Sequence, residues 1–325
     1  MNTIRSLTAL AALFLWGCTA APTMKDAESV APDSRIVFGS VEVWSGDEQE
    51  TWGTKFLGSN YFYLMILPPD LNEAITYRLD KGGVFFWTLE PGEYTLLGYH
   101  WADDGLQRTG GIGSVFEVPE AGGDVYLGTI VFRALGPYLL PLFEDRFAAV
   151  AARYDAKFPA RRGTTVKQLL EAPESVGSFA DVRDECDEEW RIDCGKRYKG
   201  VTPIAPKVSQ SGFPTAGSLT PEFRWKPCAK EDVSYDFILY EAAAYNFSDM
   251  APKLYMKGRV AAYEEGLTEA RWQPDTPLRP DTRYFWSVRM REGDTVSQWS
   301  TQSHSTFLLV YSSWGSGQWF QFKTS

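Results

Sequence analysis

Histidine and cysteine are scarce, at two and four residues in a chain of 325. Most zinc centres need three or four such ligands at close spacing, so few are open to this chain, and histidine-based acid–base work has little to draw on. P-loop, HExxH, GxSxG and CxxCH patterns are absent, and with them the most legible nucleotide, zinc-protease, serine-hydrolase and heme chemistries. Positive charge is short as well. The 32 Lys and Arg stand against 42 Asp and Glu, for a net charge of -10 at pH 7. This argues against nucleic acid or an anionic lipid surface as a partner held by charge. Beyond the N terminus no segment offers the 18 or so consecutive apolar residues that a membrane-crossing helix needs. No cofactor and no metal are expected.

What is plentiful is aromatic: 12 Trp, 16 Tyr and 20 Phe, within a chain 44% apolar and 23% charged. That composition buries a sizeable core, favours β-sheet or a stacking surface, and at this length suggests about two domains.

Residues 1–17 carry one charge, Arg5, ahead of the apolar stretch Leu7 to Trp16. The stretch is too short to span a hydrocarbon layer of about 30 Å and reads as a signal-peptide core. It ends in Leu15-Trp16-Gly17-Cys18, which resembles the lipobox of bacterial lipoproteins. The resemblance implies acylation of the Cys18 thiol, cleavage before it, and a membrane partner reached through lipid. Thr19 in place of Asp implies outer-membrane delivery, facing the periplasm. An ordinary secretory signal or an uncleaved anchor is the alternative. The chain from Cys18 onward carries 31 basic and 42 acidic residues, a net of -11. Residues 18–34, rich in Ala, Pro, Ser and Thr, read as a flexible tether.

Residues 35–135 read as strand after strand. Runs at Val37–Val43, Tyr61–Leu67, Ala74–Leu79, Val84–Leu89, Tyr94–Trp101, Ser114–Val118 and Val125–Phe132 are separated by Gly, Pro and Asp turn signals. About seven short strands in about 100 residues predict a β-sandwich. Leu89-Glu90-Pro91-Gly92-Glu93-Tyr94-Thr95-Leu96 resembles the strand–PG–strand signature of transthyretin-like, carboxypeptidase-regulatory-like domains, which implies a prealbumin-like sandwich.

Residues 136–200 read as a helical, Cys-bearing connector. Phe143, Phe147, Val150, Tyr154 and Phe158 recur at helical spacing, Pro159 ends the run, and Thr165-Val166-Lys167-Gln168 fits a capping box. Packing against a sheet is the expected role of the apolar face; a partner or membrane-surface helix is the other. Cys186 and Cys194 enclose nine residues, counting both ends, and an exported chain meets oxidising conditions, so a disulfide between them is expected. Cys186–Cys228 and Cys194–Cys228 are the other pairings, and Cys228 is otherwise a free thiol.

Residues 201–325 carry a second resemblance. Leu219–Pro227 looks like strand B of a fibronectin type III domain, Tyr235–Glu241 fits strand C, and Leu278–Arg289 is similar to its E–F corner and strand F. The resemblance implies Trp225 inward, Tyr284 as the tyrosine corner, and Gln318–Phe322 as strand G. Period two supports it, placing Tyr284, Trp286, Val288 and Met290 on one face. Ser300–Gly317 is a long F–G region that departs from the pattern.

The fold class is thus mainly β: two β-sandwich domains, Ig-like or prealbumin-like and fibronectin type III-like, joined by a short helical connector. Chemistry-bearing groups are few. Gly110–Gly113 reads as a loop, Asp103-Asp104-Gly105 as a turn, and His100 as a structural or surface residue rather than a base. The run Glu185, Asp187, Glu188 and Glu189 reads as solvated connector, though a glycosidase carboxylate pair is not thereby located or dismissed. Tyr311 and Trp314, among Ser and Gly, form the candidate binding loop, with Trp299 and Trp319 assigned to the core. The expected function is a lipid-anchored, non-enzymatic binding or assembly component of the cell envelope, with protein or glycan as partner. An envelope hydrolase acting on glycan or peptide, or a structural spacer, is the alternative.

Overall fold

The structure, a computed structural model, describes residues 23–24, 35–50, 53–55, 58–80, 82–103, 106–135, 138–161, 163, 165–171, 198–209, 212–230, 232–246, 253–308 and 311–325. Side chains are described there except at 23–24, 53–55, 58–60, 103, 106–107, 135, 138, 198–199, 303–308 and 311–318. Cys18, Cys186, Cys194 and the acidic run at 185–189 lie outside the described residues.

Every strand expected in residues 35–135 is present: β1 (Arg35–Ser45), β2 (Gly58–Leu67), β3 (Ile75–Arg78), β4 (Val84–Leu89), β5 (Gly92–Asp103), β6 (Leu106–Val118) and β7 (Asp124–Leu135). One sheet runs β3–β2–β5–β6. The other joins β7 to β1 in parallel, with β4 antiparallel on β1. Val37, Phe62, Leu64, Trp87, Leu96, Phe116, Ile130 and Phe132 fill the space between them. Pro91 and Gly92 turn the chain between β4 and β5. Gly92 has a φ of 148°, and a Cβ there would meet Pro69 Cγ at 2.6 Å, so only glycine fits. Tyr94 and Leu96 then point into the core, as their alternation predicts.

The connector contributes more to this sandwich than its sequence suggests. β8 (Tyr138–Glu144) lies antiparallel on β7, and the α-helix α1 begins only after it, at Phe147–Lys157, with a 3-10 turn at Pro159–Arg161. Phe143 is therefore a strand residue, partly buried against the core. Val150, Tyr154 and Phe158 pack on Ile36, Phe38, Phe86 and Tyr126, the outer side of the β1–β7 sheet. Thr165–Lys167 forms β9, parallel to Asp124–Tyr126, in place of a helix cap. The open edge of β7 offers this segment ladder hydrogen bonds, whereas a capping box without a following helix has no amides to satisfy. Asp124 pins the arrangement. Wholly buried, it accepts the Ile36 N–H at 2.9 Å, two guanidinium bonds from Arg161 at 2.7 Å, and the Tyr154 hydroxyl. Burial and the bond to Asp124 push the Tyr154 pKa far above its usual value.

The C-terminal sandwich sets β10 (Phe223–Trp225), flanked by Pro203–Ala205 and Arg271–Trp272, against a larger sheet. That sheet holds β11 (Ser234–Tyr245), β12 (Leu254–Leu267) and β13 (Arg283–Glu292). The region expected as a long loop is instead a hairpin, β14 (Thr301–Leu308) and β15 (Tyr311–Gln318), after which β16 (Phe320–Lys323) returns to pair with β13. Trp225 is 1% exposed, in a core shared with Phe237, Tyr284, Trp286, Phe320 and Phe322. The Tyr284 hydroxyl accepts the Arg279 N–H at 3.1 Å, the backbone contact a tyrosine corner requires.

The two sandwiches meet directly. Met65, Leu67 and Leu97 pack against Ala243 and Tyr245, with Ala74 and Met256 at the margin. The Ala74 N–H donates to the Ala244 carbonyl and the Ala244 N–H to the Asn72 carbonyl, both at 2.8 Å, which continues the β11 ladder into the first domain. Arg259 of β12 donates to the carbonyls of Pro68 and, at 2.8 Å, of Leu71, and Lys253 pairs with Glu73 at 2.7 Å. Gly98 makes the approach possible: a Cβ there would sit 3.0 Å from Met256 Cε and 2.4 Å from the Gly110 carbonyl oxygen.

Candidate functional site

Beside this contact the sandwiches part to leave a cleft of about 510 Å³, within the roughly 300–1,000 Å³ typical of small-ligand sites. Its floor is Leu97 of β5 with Gly111, Ile112 and Gly113 of β6. The Gly-rich segment is thus mid-strand, paired with β5, and not a loop. At Gly111 a Cβ would meet nothing closer than the Leu97 carbonyl oxygen at 3.9 Å, so the missing side chain is open cleft volume.

The opposite wall comes from the C-terminal domain: Tyr240 of β11, Tyr255 to Gly258 of β12, Phe285 of β13, and Trp319 at the start of β16. These residues occupy the outer face of the larger sheet because strand alternation sends Leu239, Tyr284 and Trp286 inward. Tyr240 and Trp319 meet edge to face with centroids 5.4 Å apart, and Trp319 lies 5.7 Å from Trp299. Both tryptophans are half-buried on this outer face, so their assignment to the core is corrected. The core position that Trp319 was expected to hold goes to Phe320, one residue on.

Lys257 supplies the charge. Its ammonium stands 4.0 Å from the Trp319 ring centroid and 5.6 Å from that of Tyr240, within cation–π range. The residue is exposed to the cleft, while protein crowds the ammonium from its other sides, and that desolvation lowers its pKa to about 8. It is still protonated at neutral pH. Among the described residues Lys257 has no carboxylate partner, and the hydroxyls of Tyr240 and Tyr255 and the indole N–H of Trp319 make no hydrogen bond. Burial raises the Tyr240 pKa, so its hydroxyl stays a donor.

The other candidates fall elsewhere. Tyr311 and Trp314 stand on β15, in register with Leu308 and Ser305, and their side chains lie outside the described residues. His100 is buried on β5, its Nδ1 2.8 Å from Thr109 Oγ1, and burial lowers its pKa. It does not face the cleft. Cys228 is half-buried against the C-terminal core, where its N–H donates to the Tyr235 hydroxyl at 2.8 Å. Among the described residues no cluster of three His, Cys, Asp or Glu could hold a metal.

No family model matches the chain, and no curated protein matches it. Solved structures give distant likenesses. The chicken CNTN1 FN1–FN3 domains are 10% identical at a TM-score of 0.19, over 86% of this chain and 68% of that one. A DUF3823 family protein from Parabacteroides merdae is 10% identical at a TM-score of 0.18, over 84% and 97%. A leucine-rich repeat protein from Bacteroides thetaiotaomicron is 9% identical at 0.21, over 90% of this chain but 25% of its own. Likeness at that level leaves function to be argued from the geometry.

Proposed function

We propose that this protein is an exported, lipid-anchored binding component of the cell envelope, acting without catalysis through the cleft between its two sandwiches. One observation carries the binding role: aromatic rings and an ammonium with no carboxylate partner among the described residues line an open cleft between two firmly docked domains. Its described lining includes no His, Ser, Cys, Asp or Glu, so the acid–base and nucleophile pairs of a hydrolase have no counterpart there. The strand order of the C-terminal domain and its tyrosine corner support a fibronectin type III-like reading, and the Pro91-Gly92 turn a transthyretin-like one. The anchor is read from Cys18, with outer-membrane delivery and a periplasmic face from Thr19.

Purified full-length protein should be retained on immobilised envelope polysaccharide or envelope protein. Gly111→Leu, which fills the cleft with little change to the fold, should reduce retention about tenfold, a loss of about 1.4 kcal/mol. Equal retention of the two forms overturns the cleft as the binding site. In cell fractionation Cys18→Ser should move the protein from membranes to the soluble extract; unchanged membrane association overturns the lipid anchor.

We read Cys228 as half of a disulfide, with Cys186 or Cys194 as its partner in place of the local Cys186–Cys194 pair. Peptide mapping under non-reducing conditions should recover Cys228 linked to one of them, and recovery of Cys186–Cys194 overturns this.

A further inference from the structure

Side-chain donors dominate the cleft. Lys257 offers an ammonium that meets only the Trp319 and Tyr240 ring faces, Trp319 an indole N–H, and Tyr240 and Tyr255 hydroxyls, none of them hydrogen-bonded or ion-paired among the described residues. Among the described residues no carboxylate or amide side chain lines the cleft to receive a hydrogen bond, in a chain that carries 42 acidic residues. An acid-free, donor-lined recess in an acidic protein is selective by charge: it attracts an anion that the rest of the surface repels.

We propose that the cleft binds a carboxylated sugar, a uronate residue of a glycan chain, with its carboxylate on Lys257 and its ring against the aromatic wall. The inference rests on the binding role proposed above and names the ligand class. The lone ammonium provides one charge-assisted contact, which suits a single carboxylate. A phosphate would call for a second cation or a guanidinium fork, and the described lining has neither. The phenol and indole donors suit ring and hydroxyl oxygens, while the apolar C–H face of a sugar covers aromatic surface. Opposite that wall, Gly111 and Gly113 leave bare backbone, so a flat ring can enter between strand and aromatic side chains.

The test is calorimetric titration of the full chain with trigalacturonate, with the neutral sugar of the same length, and with triglutamate. Trigalacturonate should bind at least tenfold more tightly than the neutral sugar, a preference of about one charge-assisted hydrogen bond. Lys257→Gln should abolish that preference, Lys257→Arg should keep most of it, and Gly111→Leu should remove binding of both sugars. Unchanged melting curves confirm that each variant is folded. Equal binding of neutral and acidic sugar, insensitive to Lys257→Gln, overturns the uronate assignment and leaves the binding role standing. Tighter binding of triglutamate overturns the sugar class. If no titrant binds, or Gly111→Leu changes nothing, both the assignment and the cleft as a sugar site are overturned.

Discussion

Asp124→Ala is expected to destabilise the N-terminal sandwich by about 3–5 kcal/mol, because it removes a buried carboxylate on which an amide, a hydroxyl and a guanidinium converge. Asp124 is fully buried, and its two oxygens receive four donors from three places in the chain: the Ile36 amide in β1, the Tyr154 hydroxyl in α1, and both the Nε and Nη2 of Arg161 beyond it. Its loss therefore frees the first strand from the helix and removes the carboxylate that Arg161 grips with two bonds. Chemical unfolding followed by circular dichroism measures the effect. Tyr154→Phe, which removes one donor and keeps the ring stacked 4.3 Å from Phe38, should cost only about 1–2 kcal/mol. The double change Asp124→Leu with Arg161→Met should recover much of the loss, since it removes the buried carboxylate together with the guanidinium paired to it. A loss below about 1 kcal/mol for Asp124→Ala contradicts the pinning role, because it is no larger than an ordinary hydrogen bond.

The strands themselves were legible because period two is written plainly into both sandwiches. Val84-Phe85-Phe86-Trp87 is continuous rather than alternating, since one face of β4 meets the inter-sheet core and the other meets α1. Phe143, at helical spacing in the sequence, falls in a strand for a related reason. Phe143, Phe147, Val150 and Tyr154 all contact apolar surface, so their spacing fits a helix from the first of them. Yet β7 has an unpaired edge, and ladder bonding claims residues up to Glu144 before the helix begins. Local spacing carries no record of which edge is vacant. For the same reason Thr165–Lys167 becomes a strand.

The cleft was less legible, and its residues show why. Tyr240 and Phe285 lie on strand positions opposite to the core-facing Leu239 and Tyr284, where a solvated sheet carries polar residues; two aromatics on that face were the available signal. Gly110-Gly111-Ile112-Gly113 was the other, a strand stripped of side chains where a second surface or a ligand approaches. Neither signal names its counterpart, because Gly111 and Lys257 come together only through the docking of two domains. Trp319 was placed one residue out of phase, and that single step turns a ring from the core to the cleft.

Asp236→Ala is the second large loss expected, again about 3–5 kcal/mol, and here the effect also depends on pH. Asp236 of β11 is fully buried on the outer side of the larger sheet. It accepts Arg289 Nε at 2.7 Å, Arg291 Nε at 2.8 Å and Nη2 at 2.7 Å, and the Gly266 amide at 3.1 Å. Arg289 also stacks 4.7 Å from the centroid of the Trp299 ring and donates to the Tyr263 hydroxyl at 3.1 Å, so the carboxylate holds one end of the aromatic row that leads through Trp299 to Trp319. Burial acts to raise the Asp236 pKa, but the hydrogen bonds from Arg291 and Arg289 outweigh it and hold the group below its usual value. A carboxyl whose pKa is lower folded than unfolded contributes its stability in full above the unfolded value and loses it as pH falls through the folded one. The wild type should therefore lose stability as the solution is acidified below the ordinary aspartate range, about pH 4, while Asp236→Asn shows a flatter profile over the same interval. Parallel acid profiles for the two proteins contradict this account. The same substitution loosens Arg289 and so reaches the Trp299–Trp319 pair, which gives a second readout: weaker retention by the cleft at neutral pH, where the fold persists.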